Sequence, residues 1–120
     1  MRNIFFLLFI TFFSFAFIRM QDKLTGHWMT KGQNNSKVFL DFNEDHSFKV
    51  TVDGHIENEG KYELSEDVFT MYDKGCGMEV PGKYKLTFYT ADSVLFSVIQ
   101  DSCKERIGEV NGGVITRVKN

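Results

Sequence analysis

The sequence predicts an all-β chain: eight short antiparallel strands in up-and-down order that close into a barrel, with a short helical turn before the last strand. Three observations carry this. Beyond residue 20, apolar and polar residues alternate in runs of about 4–8, the period of a half-buried strand. Turn-forming residues separate these runs at roughly 8–12-residue intervals, which leaves no room for a long helix between them. Connections that short favour pairing between sequence neighbours, and closure removes the exposed edges of an open sheet. The 120 residues allow one such domain.

Residues 1–20 stand apart. Met1-Arg2-Asn3 opens with a positive charge, and Ile4 to Ile18 is an almost unbroken apolar run that holds seven of the thirteen phenylalanines. At about 15 residues the run is shorter than the roughly 18–20 needed to span a bilayer. With polar Gln21-Asp22-Lys23 behind it, the segment has the form of a secretory signal peptide. Cleavage after Ala16 and cleavage after Met20 are both open. Residues 21–120 are then the barrel domain, without a membrane span and with a secreted or periplasmic destination.

The first strand runs from Leu24 to Thr30 and contains Gly26-His27-Trp28. A glycine two residues before the one tryptophan, at the head of an all-β chain, points to a barrel end plugged by an indole. Lys31 to Ser36 is a polar turn. Lys37 to Phe42 is the second strand, with Val38, Leu40 and Phe42 on one face. His46 to Asp53 is the third, with Phe48, Val50 and Val52 inward. Asp53-Gly54 is a strong two-residue hairpin signal. His55 to Leu64 is the fourth. Ile56, Asn58, Gly60, Tyr62 and Leu64 share its inner face, and Glu57, Glu59, Lys61 and Glu63 face water. Gly60 marks a bulge or a sharp bend.

Val68 to Tyr72 is the fifth strand, followed by a loop from Asp73 that runs on to Pro81. Lys83 to Thr90 and Ser93 to Gln100 are the sixth and seventh. They place Tyr84, Leu86 and Phe88, then Val94, Phe96 and Val98, on inner faces. Cys103 to Val110 has helical spacing, and Asp101-Ser102 is positioned to cap it. Asn111-Gly112-Gly113 ends that turn, and Val114 to Lys119 is the last strand.

Composition excludes several functions. The formal charge is −2, and it becomes −4 once residues 1–20 are removed, because Arg2 and Arg19 leave and no acid does. That opposes nucleic-acid binding and attachment to anionic membranes. Cys76 and Cys103 are an even count in an exported chain, which reads as one disulfide. There is no C-x-x-C, and His27, His46 and His55 are scattered. The last two border opposite ends of one strand, about 30 Å apart at extended rise, so no metal site is expected. No nucleophile elbow or ordered triad is present, and no cofactor motif, so no enzyme is expected. Glu44-Asp45 and Glu66-Asp67 sit in turns, where solvated charge is their ordinary role.

An eight-stranded barrel holds either packed side chains or one small ligand. Phe48, Val50, Asn58, Tyr62, Tyr84, Leu86, Phe96 and Val98 are the candidate lining of a ligand site. A fully packed core is the other reading of the same residues. The Tyr62 and Tyr84 hydroxyls, which need partners when buried, and Asn58 beside Tyr62 favour a polar interior.

The ordered combination of Gly26-x-Trp28, an eight-strand meander and a late arginine resembles the lipocalins and the wider calycin group, over residues 24–118. It is most similar to small exported lipocalin-like domains of bacteria. Those show a cysteine ahead of a Gly-x-Tyr strand, here Cys76 and then Gly82-Lys83-Tyr84. They also show an Asp-x-Cys-x-x-Arg element, here Asp101-Ser102-Cys103-Lys104-Glu105-Arg106. The resemblance implies that Trp28 plugs one barrel end and that a late arginine stacks on it. Arg106 and Arg117 are the candidates, with Arg106 slightly favoured. The chain is shorter than true lipocalins and lacks their long C-terminal helix. It also has Arg117-Val118-Lys119 where fatty-acid-binding proteins have Arg-x-Tyr, so no carboxylate site carries over.

The leading expectation is an exported barrel that binds a small apolar or amphipathic ligand. A protease inhibitor that uses the segment Phe17 to Lys23 is the alternative from another class. A structural envelope domain without a ligand is the third.

Overall fold

The computed structural model describes residues 23–119. The expected signal peptide, residues 1–20, lies outside them. Eight strands follow in order: β1 (Gly26–Lys31), β2 (Lys37–Phe42), β3 (Ser47–Val52), β4 (His55–Ser65), β5 (Val68–Asp73), β6 (Gly77–Thr90), β7 (Ser93–Asp101) and β8 (Val114–Arg117). A short helix, α1 (Lys104–Val110), precedes β8. Each strand pairs antiparallel with the next. β8 returns to β1 through Trp28↔Arg117 and Met29↔Thr116, closing an up-and-down barrel.

Local chemistry explains the turns. Asp53 and Gly54 both take positive φ (49° and 87°), the two-residue turn whose twist matches that of the flanking strands. β2 has the expected bounds, and the ends of β1, β3, β4, β5, β7 and β8 fall within two residues of expectation.

Two strands differ in ways that matter. In β4, Val50 pairs with Asn58 but Thr51 pairs with Ile56, so Glu57 is an extra residue. This bulge reverses the alternation. Ile56 was expected inside and is 60% exposed, whereas Glu57 is exposed as expected but stands at the cavity's opening. Gly60 is not the bulge. It answers a close approach, since a Cβ there would stand 1.9 Å from the Tyr72 carbonyl oxygen.

β6 is the other. It begins at Gly77 rather than Lys83 and spans 14 residues. Asp73 pairs with Gly77 and Met71 with Gly82, so residues 78–81 bow out opposite Tyr72. Gly77, Pro81 and Gly82 punctuate this stretch like a loop, but a bulge makes few ladder bonds and tolerates a proline without an N–H.

The barrel has two unlike ends. One collects the start of β1, the β2–β3, β4–β5 and β6–β7 turns and the end of β8. Here Leu24, Trp28, Leu64 and Val94 are buried. Above them the rings of Phe42, Tyr62, Phe69 and Phe96 meet edge-on or stacked, with centroids 5.3–5.9 Å apart. Such contacts add to the area they bury. The opposite end carries the β1–β2, β3–β4 and β5–β6 turns and α1.

Cys76 and Cys103 form a disulfide, with Cα atoms 6.1 Å apart, that ties the β5–β6 turn to the residue before α1. The helix cap differs from expectation, because no side chain caps it. Instead the Asp101 Oδ1 accepts from the Cys103 N–H at 2.9 Å. The bridge spans 27 residues of sequence, so Cys76→Ala/Cys103→Ala is expected to lower stability by about 3–4 kcal/mol on chain entropy. Urea unfolding of the two proteins checks this, and a loss below about 1 kcal/mol would contradict it. A disulfide is compatible with an extracellular or periplasmic location.

Candidate functional site

The half of the barrel beyond the aromatic layer is not filled. A cavity of about 820 Å³ runs from that layer to the open end. Phe42, Phe48, Phe69 and Phe96 form its floor, and Val38, Leu40, Val50, Val52 and Met71 its walls. Leu40 and Val50 are only partly buried although they point inward, because their outer neighbours are empty space. Glu57, Asn58, Gly75, Cys76, Glu105 and Glu109 are among the residues at its mouth.

Of the eight residues expected to line a ligand site, Phe48, Val50, Asn58 and Phe96 do so. The other four do not. Tyr62 is at the plugged end, and its hydroxyl donates to the Asn43 carbonyl at 3.0 Å. Tyr84 is fully buried, and its hydroxyl donates to Asp101 Oδ2 at 2.6 Å. Both hydroxyls are satisfied within the protein, so neither faces a void. Leu86 is packed opposite Phe96. Val98 packs on the core, and its N–H is held by Asn111 Oδ1 at 2.9 Å.

One wall of the mouth is a buried ion cluster. From α1, Arg106 enters the barrel and donates through Nε and Nη2 to the two Asp101 oxygens, both at 2.7 Å. Its Nη1 donates to Asp73 Oδ2 at 3.3 Å and its Nη2 to the Val80 carbonyl at 3.0 Å. Asp73 Oδ1 accepts from the Cys76 N–H at 2.8 Å. Each carboxylate therefore binds one shoulder of the disulfide and one side of the guanidinium. Gly82 makes room for the pair, since a Cβ there would lie 2.7 Å from both Arg106 Nε and Asp101 Oδ2.

The electrostatics follow from this geometry. Burial pushes the Asp101 carboxyl up, but hydrogen bonds from Arg106, Tyr84 and the Cys103 N–H together outweigh it and hold the group at about 2. Burial, with the neighbouring Asp101 carboxylate, raises the Tyr84 hydroxyl. The hydrogen bonds to Asp101 raise Arg106 despite its burial.

Arg106 is thus at the open end and cannot reach Trp28, which corrects the expectation that favoured it. Arg117 takes that place. Its Cζ lies 4.3 Å from the Trp28 ring centroid. Its Nη1 and Nη2 donate to the Thr25 and Lys23 carbonyls at 2.9 and 2.8 Å, and its Nε to Asp92 at 3.1 Å. The indole N–H donates to the Leu24 carbonyl at 2.8 Å. Gly26, at φ 138°, leaves space for the guanidinium, because a Cβ would fall 2.5 Å from Arg117 Nη1.

Of the segment expected to serve an inhibitor, Phe17 to Lys23, only Lys23 is among the described residues. The three histidines lie apart: His27 bonds Asp41 and stacks on Phe39, His46 packs beside Tyr62, and His55 is exposed. Among the described residues, no three His, Cys, Asp or Glu stand close enough to hold a metal.

The fold is similar to that of Treponema pallidum Tp0751 (Pallilysin) in its crystal structure. The TM-score is 0.55 at 16% sequence identity, over 83% of this chain and 84% of that one. At this identity the likeness shows the fold alone. No family model and no curated protein matches the chain.

Proposed function

We propose that this chain is an exported, lipocalin-like carrier that binds one small apolar or amphipathic molecule inside the barrel and performs no catalysis. The observation that carries this reading is the cavity itself. Its volume of about 820 Å³ lies within the roughly 300–1,000 Å³ of small-molecule sites. Aromatic and aliphatic side chains form its floor and walls, and its polar groups gather at one end. That arrangement suits an elongated molecule with an apolar body and a polar head. The disulfide and the signal-like residues 1–20 support a site of action outside the cytoplasm.

The test combines two measurements. Native mass spectrometry with lipid extraction looks for a molecule that accompanies the purified protein. Titration with N-phenyl-1-naphthylamine, a neutral apolar fluorophore, looks for saturable one-to-one binding. Val50→Trp fills existing space and so avoids overpacking. It is expected to preserve melting and to weaken probe binding by at least about tenfold, the loss of about 1.4 kcal/mol. Absence of any accompanying molecule, together with no saturable probe binding, would remove the proposal.

A further inference from the structure

We infer that the molecule this cavity accepts carries a cationic head group, an amine on an apolar body, and not a carboxylate. The inference rests on the reading of the cavity as a binding site. The deciding group is Arg106, the one guanidinium in the lining and the side chain that would otherwise hold an anionic head. Four of its five N–H donors are already engaged, two by Asp101, one by Asp73 and one by the Val80 carbonyl. A ligand carboxylate would have to stand beside two buried carboxylates that have already consumed the cation.

The rest of the mouth has the same sign. Glu57, Glu105 and Glu109 line it against a single lysine, Lys31. Glu105 and Glu109 are one helical turn apart on α1, so they share a face. The Arg106 cluster carries one net negative charge and these four residues two more. Apolar walls below focus that field onto whatever occupies the opening. The apolar body therefore has the phenylalanine floor, and the head group meets carboxylates that outnumber the one lysine. Like charge at the mouth rejects an anion as strongly as it draws a cation.

The test displaces N-phenyl-1-naphthylamine from the disulfide-bonded protein with three chains of equal length: decylammonium, decanol and decanoate. At low salt, decylammonium is expected to bind about tenfold more tightly than decanol, with decanoate weakest, and molar salt is expected to narrow the gap. Glu105→Gln/Glu109→Gln, changed at exposed positions, should remove most of the preference and leave decanol binding unaltered. Equal or tighter binding of decanoate overturns the inference, as does a preference undiminished in the double variant. Binding of probe and decanol with no preference among heads overturns the inference alone. Binding of none of them overturns the cavity reading as well.

Discussion

Arg106→Met is expected to lower folding stability by about 3–5 kcal/mol, the usual loss when one partner of a buried ion pair is removed. The Arg106 side chain is 2% exposed, and the carboxylates it separates, Asp73 and Asp101, are 1% and 0% exposed. Without the guanidinium, two buried acids keep only backbone N–H groups and the Tyr84 hydroxyl for support. The pH dependence separates this from a simple loss of packing. In the parent protein Asp101 titrates at about 2, below its ordinary 3.8. The unfolded chain then binds more protons in that window. The resulting stabilisation of about 2 kcal/mol is fully present above pH 3.8 and is lost as pH falls toward 2. In the variant, burial and the like charge of Asp73 raise Asp101 instead. The folded state then binds more protons, so acidification from about pH 7 to pH 5 recovers part of the lost stability. Urea unfolding at both values measures this. A loss below about 1 kcal/mol, or an unchanged pH response, would show that the cluster is not held together by its charges.

The Arg106 cluster also shows where sequence reasoning succeeds and where it stops. Strand number, order and the Asp53-Gly54 hairpin were legible because each depends on a few adjacent residues. The inward faces of β2 and β3 were legible for the same reason, and Val38, Leu40 and Phe42 do face the cavity. The β4 phase was not, because a one-residue bulge leaves no distinct composition, and Glu57 continues a plausible polar alternation. Asp73 looked like the first residue of a turn. Nothing local distinguishes it from Asp67, and it gains meaning only when α1 brings Arg106 from 33 positions away.

The choice between Arg106 and Arg117 was accessible by parity. In an up-and-down barrel of eight strands, the start of β1 and the end of β8 share an end. Arg117 closes β8, so it lies beside Trp28, and Arg106, which precedes β8, lies at the other end. Whether the inner face packs or encloses space is a different matter. Strand number sets a barrel radius that leaves room for either outcome. Alternation names the inward residues without saying whether they meet across the axis. Here both outcomes occur, with a packed half around Trp28 and Tyr62 and an open half under α1.

Because the two halves are distinct, stability and binding should respond to different residues, and Trp28→Ala is the sharpest case. The indole is fully buried and hydrogen-bonded to Leu24, and it carries Arg117 on its face. Its truncation is expected to cost about 3–5 kcal/mol and to lower the melting temperature by more than about 10 °C. Trp28 does not line the cavity, so probe affinity measured where the variant is still folded should match that of the parent. Unchanged melting with lost binding would reverse the role assigned to it. The glycine of the same motif gives a second handle. Gly26→Ala places a Cβ where Arg117 Nη1 now lies, at a φ of 138° that L residues rarely adopt. Two costs are combined there, backbone strain and eviction of the guanidinium. In a cycle with Arg117→Ala the eviction cost disappears and the strain stays, so the double variant should be more stable than the sum of the two losses predicts. Strict additivity would mean that Gly26 serves the backbone alone and that the arginine is accommodated independently of it.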